Sequence, residues 1–150
     1  METDASGIGI GAVLSQHDKE KHKFRPISFA SRLLKGAELN YSTTDREALA
    51  IVWAIKKYKY VIYGYKIVVF TDHKPLTSLF SSTLPPGRLG RWALLVQEYD
   101  LTIRYKPGIL NQVPDALSRY PVEGGEELQT GQVNVIPVDQ PRKAKQPVAA

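Results

Sequence analysis

Four carboxylates stand on four separate stretches of the chain: Asp4 in Thr3-Asp-Ala-Ser6, Glu47 in Thr44-Asp-Arg-Glu47, Asp72 in Phe70-Thr-Asp-His-Lys-Pro75, and Asp115 in Pro114-Asp-Ala-Leu-Ser-Arg119. Each alone has an ordinary explanation. Asp4 and Asp72 suit turns, Glu47 completes a helix capping box with Thr44, and Asp115 favours the positive end of a helix dipole. Brought together they would repel one another unless hard cations sat between them, and Mg²⁺ or Mn²⁺ prefers such oxygen ligands. The chain has no Cys, so any metal must be held by carboxylates or His.

The elements that must position these acids follow from periodicity. Ile67 to Phe70 is an unbroken apolar, β-branched run that ends in Asp72 and Pro75, which predicts a buried strand with an acid at its mouth. In open α/β sheets strand ends are where ligands collect. Ile8, Ile10, Ala12 and Leu14 alternate with Gly7, Gly9 and Gly11, which predicts a strand with one face stripped for close approach by a helix or a ligand. A polar turn over 16–23 leads to a second hairpin strand, Arg25–Ser31. Ser42-Thr43-Thr44-Asp45 supplies helix-capping residues, and 46–60 reads as a central, largely buried helix. Further on come a short helix over 75–80, an amphipathic helix carrying Leu89, Trp92, Ala93 and Val96, a strand at 100–105, and a last helix over 111–119. The order is β-β-β-α-β-α-α-β-α, an α/β sheet of mixed direction.

The 150 residues suit one ordinary domain, and 43 % hydrophobic residues allow a real core. The net charge is +5, with 17 Lys and Arg against 11 Asp and Glu in residues 1–120, so the basic excess belongs to the folded part and suits a polyanionic partner. After Tyr120 there are no aromatics and four prolines, which predicts a disordered linker or tail over 121–150. No apolar run approaches about 20 residues and no signal-peptide pattern is present, so neither membrane insertion nor secretion is indicated. The abrupt start, with Asp4 close to Met1, predicts a first strand truncated from a longer one.

Together, Thr3–Ser6, Pro26-Ile-Ser-Phe-Ala-Ser-Arg32, Tyr41 through Thr44-Asp-Arg-Glu-Ala-Leu-Ala50, Phe70–Leu76 and Pro114–Arg119 closely resemble the RNase H domain of gypsy-type LTR retrotransposon reverse transcriptases, in the same order and approximate spacing. The resemblance spans about residues 2–120. It implies an RNase H-like fold, a five-stranded mixed sheet of three antiparallel meander strands and two further strands, with flanking helices. It implies a two-metal hydrolase that cuts the RNA strand of RNA/DNA hybrids, with Asp4, Glu47, Asp72 and Asp115 as ligands of two Mg²⁺ or Mn²⁺ ions. Asp4 would bridge both ions, Asp115 would complete the nucleophile-side site, and Glu47 with Asp72 would hold the leaving-group-side ion.

The hydroxyls of Ser6, Thr43 and Thr44 lie beside the acids in sequence and suit sensing of the RNA 2′-hydroxyl, while Lys74, Arg88 and Arg91 suit phosphates. The resemblance further implies a Pol polyprotein containing reverse transcriptase and integrase regions, located in a cytoplasmic virus-like particle. Two departures stand out. The segment 106–110 lacks the His that aids product release in cellular RNases H, and Gln112-Val-Pro precedes Asp115 where the family has a different spacing. The missing His, with the truncated first strand, leaves open a second reading, a non-catalytic module that binds hybrid or braces a polymerase. A transposase or integrase core is a third, disfavoured by the order of motifs after Asp72.

Overall fold

The computed structural model describes residues 1–79 and 86–120; the expected tail at 121–150 lies outside them. The strands are β1 (Glu2–Ala5), β2 (Gly9–Asp18), β3 (Lys23–Leu33), β4 (Ile67–Thr71) and β5 (Leu101–Tyr105). The helices are α1 (Thr43–Ile62), α2 (Leu76–Leu79), α3 (Gly87–Gln97) and α4 (Gln112–Arg119). They make the expected five-stranded mixed sheet, ordered β3-β2-β1-β4-β5. The pairs β1–β2 and β2–β3 are antiparallel, and β1–β4 and β4–β5 are parallel. Because β1 and β4 run in the same direction, their C-terminal ends open on one edge of the sheet, and Asp4 and Asp72 meet there.

Two local expectations change. The β2–β3 turn is tighter than 16–23, because Asp18 Oδ1 accepts from the backbone N–H groups of Glu20 and Lys21 and closes the chain within a few residues. At α1 the N-cap is Ser42, whose hydroxyl accepts from Asp45 N at 3.1 Å. The capping box between Thr44 and Glu47 therefore does not form, and Glu47 is left for another task.

Each face of the sheet is covered by its own helix. Ile51, Ile55, Tyr58 and Ile62 recur at helical spacing along α1 and pack with Ala12, Leu14, Ala30 and Val69. Full burial of one such side chain contributes about 1.5–3 kcal/mol. Ala93 and Val96 of α3 are also buried, and α3 packs beside α1. On the opposite face α4 lies against β1 and β2. It does so because residue 11 is glycine: a Cβ there would stand 2.6 Å from Leu117 Cβ and 2.7 Å from the Pro114 carbonyl. Of the side-chain-free face read from Gly7, Gly9 and Gly11, Gly7 falls before β2, and the helix seat is at Gly11.

Candidate metal centre

β1 presents Asp4 on the face that carries Gly11, its register partner on β2. α1 brings Glu47 to the same place from the other side, and Asp72 follows directly on β4. Asp4 and Glu47 are buried, at 3 % and 5 % exposure, while Asp72 is half-buried. One carboxylate oxygen from each of the three lies within 4.8 Å of the others. Among the described residues no Lys or Arg forms an ion pair with any of them.

The electrostatics follow from that crowding. Burial, then the neighbouring Asp4 and Asp72 charges, pushes the Glu47 carboxyl up to about 9 from its ordinary 4.5, against a backbone N–H from Ala5 that favours the anion. Glu47 Oε2 is buried with no hydrogen-bond partner among the described residues. Burial likewise raises Asp4 to about 6; a hydrogen bond from Ser118 opposes the rise, and Asp72 and Asp115 add to it. Crowded oxygen ligands, one of them unsatisfied and none in an ion pair among the described residues, form a donor set that fits a hard divalent cation, the more distant Arg46 and Arg119 offsetting the crowding only in part.

Asp115 is placed differently. It stands on α4 near enough to be felt by Asp4, but its Oδ1 accepts from Arg119 Nε at 2.9 Å and its side chain is 42 % exposed. The structure therefore gathers Asp4, Glu47 and Asp72 into one cluster and leaves Asp115 beside it.

The hydroxyls and bases differ as well. Ser6 Oγ donates to the Ser118 carbonyl at 2.6 Å and accepts from Ile8 N and Gly9 N, so it builds the β1–β2 turn. Thr44 Oγ1 bonds His73 Nε2 at 2.9 Å, tying α1 to the residue after Asp72, whereas Thr43 is exposed at the first position of α1. Arg88 is ion-paired with Asp45 at 3.1 Å and lies over the Tyr41 ring at 3.7 Å, so its charge braces α3 against α1. Lys74 and Arg91 are exposed.

Sequence reasoning passed over the residues that seat α4. Asn111 is 1 % exposed and donates from Nδ2 to the Thr3 carbonyl at 3.1 Å, and Ser118 is fully buried with its Oγ 2.7 Å from Asp4 Oδ2. The three-residue spacing of Asp115 and Ser118, which puts both on one helical face, was the available signal. Gly108 passes so close to Asp72 that a Cβ there would stand 3.0 Å from Oδ2, so backbone alone faces the acid at that point.

Comparison with known proteins agrees with this geometry. Residues 1–99 match the family described as an RNase H-like domain found in reverse transcriptase. The Pol polyprotein of the Drosophila melanogaster transposon gypsy is 46 % identical over 120 residues, covering 79 % of this chain and 11 % of the polyprotein. That of transposon 297 from the same organism is 41 % identical over 132 residues, covering 88 % of this chain and 12 % of the polyprotein. The chain thus spans about a tenth of the length of these relatives. Among solved structures, LC11-RNase H1, crystallised in complex with an RNA/DNA hybrid, superposes with a TM-score of 0.58 at 16 % identity, covering 77 % of this chain and 90 % of that one. The chain belongs to the family of RNase H-like domains found in reverse transcriptases, the kind carried by the Pol polyproteins of LTR retrotransposons.

Proposed function

We propose that this chain is a metal-dependent ribonuclease H that hydrolyses the RNA strand of RNA/DNA hybrids during reverse transcription, as one part of a Pol polyprotein. The observation that carries this reading is the cluster of Asp4, Glu47 and Asp72, with ligand oxygens within 4.8 Å and Glu47 Oε2 unpartnered, at the open edge of an RNase H-like sheet. The hybrid bound to LC11-RNase H1 supports the substrate class.

Asp4, Glu47 and Asp72 would hold Mg²⁺ or Mn²⁺, and Asp115 would join a second ion by turning from Arg119. Bound divalent ions supply a water activated near neutral pH and charge stabilisation for the departing 3′ oxygen, leaving 5′-phosphate and 3′-hydroxyl ends. The chain's own residues do the rest. Burial of Asp4 and Glu47 keeps bulk water from their inner oxygens. Exposed Lys74 and Arg91 provide phosphate contacts that position a duplex without reading its sequence. Thr43 offers a free surface hydroxyl for the 2′-hydroxyl of RNA, while Ser6 and Thr44 shape the backbone around the acids. Residues 1–120 would form this domain, with 121–150 linking it to a following integrase region, and the whole would work in a cytoplasmic virus-like particle.

The test is cleavage of an end-labelled RNA/DNA hybrid with Mg²⁺, with Mn²⁺ and with EDTA, beside double-stranded RNA and DNA. Metal-dependent cutting of the hybrid's RNA alone, abolished in Asp72→Asn, is the expected result. If a folded wild type binds hybrid without product, and Asp72→Asn behaves identically, the chain is a binding or bracing module instead.

A further inference from the structure

Resting on that reading of the acids as metal ligands, we propose that Ser118 is a positioning residue for them. Its buried hydroxyl fixes the Asp4 carboxylate and registers α4, which carries Asp115, against β1. Ser118 is fully buried. Its Oγ lies 2.7 Å from Asp4 Oδ2 and 2.8 Å from the Asp115 carbonyl, and its own carbonyl accepts from Ser6 Oγ at 2.6 Å. One side chain therefore touches both acid-bearing segments.

A buried serine in a helix commonly returns its proton to a carbonyl three or four residues back, and the Asp115 carbonyl would satisfy it. The contact across to β1 goes beyond that ordinary role. A hydroxyl has one proton, and a carboxylate is a stronger acceptor than an amide carbonyl. With the proton on Oδ2, Asp4 is held at one oxygen and its other oxygen is free for a cation. The terminal torsion of an aspartate is otherwise broad, so without the hydroxyl the carboxylate loses its fixed orientation. The approach depends on Gly11, where a Cβ would come within 2.9 Å of Ser118 N.

The experiment compares Ser118→Ala with Asn111→Ala. Asn111 also ties α4 to β1, through the Thr3 carbonyl, but has no hydrogen bond to an acid side chain. Alanine is the better helix former, so Ser118→Ala keeps α4. Mn²⁺ binding is followed by electron paramagnetic resonance of the free ion, thermal stability by circular dichroism, and hybrid cleavage by steady-state kinetics. In Ser118→Ala the Mn²⁺ dissociation constant is expected to rise about tenfold and kcat to fall, with KM for hybrid unchanged. Asn111→Ala is expected to lower the melting temperature while keeping Mn²⁺ affinity within about twofold of wild type. Equal loss of affinity in the two variants, or wild-type affinity in Ser118→Ala, overturns the positioning role while leaving the metal site standing. A wild type that takes up no Mn²⁺ overturns the metal site itself and this role with it.

Discussion

Helix α1 buries ten of its twenty residues, against the sheet and α3, whereas α4, eight residues long, buries only Pro114 and Ser118. Each carries an acid, and the acids differ accordingly. Glu47 is locked into the interior by the apolar residues around it and has no cationic partner; Asp115 is half-exposed and paired with Arg119. Hydrophobic packing thus forces one carboxylate into a place it would not choose, while hydrogen bonds and a missing Cβ seat the other. The difference separates what holds the fold from what adjusts the site.

The largest expected effect comes from breaking the α1 side of that contrast. Glu47→Gln should lower hybrid cleavage by about a thousandfold, roughly 4 kcal/mol of lost transition-state stabilisation. It should also steady the metal-free fold. Glu47 holds its proton to about pH 9 in the folded chain and only to its ordinary 4.5 when unfolded. Between those values the folded state binds more protons, so stability is fully present below 4.5 and declines as pH rises toward 9. Asp4 adds the same sense of change between 3.8 and about 6. In EDTA the unfolding free energy of wild type should therefore fall with rising pH, by at most about 1.4 kcal/mol per pH unit for each proton, and the melting temperature with it; the Met1 amino group, which burial lowers from 8.0 to about 6, opposes the fall between those values. Glu47→Gln should flatten that slope, and Mn²⁺ should raise the wild-type melting temperature most at the alkaline end. A pH slope that Glu47→Gln leaves unchanged would mean that Glu47 is not held protonated by burial.

A matched pair of substitutions sharpens the comparison further. Ile55→Ala removes a fully buried α1 side chain and should lower stability by about 2–5 kcal/mol, with cleavage per folded molecule within about threefold of wild type. Gly11→Ala inserts a methyl where α4 lies flush and should lower stability less, by about 1–3 kcal/mol. Its effect on chemistry should be larger, about 10- to 100-fold in cleavage, because α4 moves off β1 with Asp115 and Ser118 aboard. Urea melts and single-turnover cleavage on the same preparations separate the two quantities. If both variants lose stability and activity in the same proportion, α4 is part of the core and the distinction fails.

The same contrast explains what was legible in the sequence. The apolar residues Leu49, Ile51, Val52 and Ile55 announce a buried helix, and alternation at Ile10, Ala12 and Leu14 announces the strand beneath it, because apolar burial has a period that residue types record. That Asp4, Glu47 and Asp72 share one edge comes from the resemblance of their motifs to RNase H domains, not from that period. The seat of α4 has no such record. Its contacts are a glycine that receives a helix, an Asn amide reaching the Thr3 carbonyl and a hydroxyl reaching a carboxylate 114 residues away. Polar contacts of that kind have direction but no period. Thr44 illustrates the same limit: it reads as a capping residue beside Glu47, yet Ser42 takes the cap and Thr44 turns to His73.

The smallest expected effect tests the α4 acid directly. The Arg119–Asp115 pair joins residues four apart on a helix surface, with Arg119 64 % exposed. Such exposed pairs contribute little, since water and salt screen the charges and two side chains must be held still. Arg119→Ala should therefore barely move the melting temperature. It should leave Mn²⁺ affinity unchanged or tighten it by up to about threefold, because Asp115 loses a competitor for its oxygen without losing its place on α4. A tenfold weakening of Mn²⁺ binding would reverse the interpretation: Arg119 would then be aiming Asp115 at the site, and the α4 acid would depend on an ion pair as strictly as Glu47 depends on the apolar packing of α1.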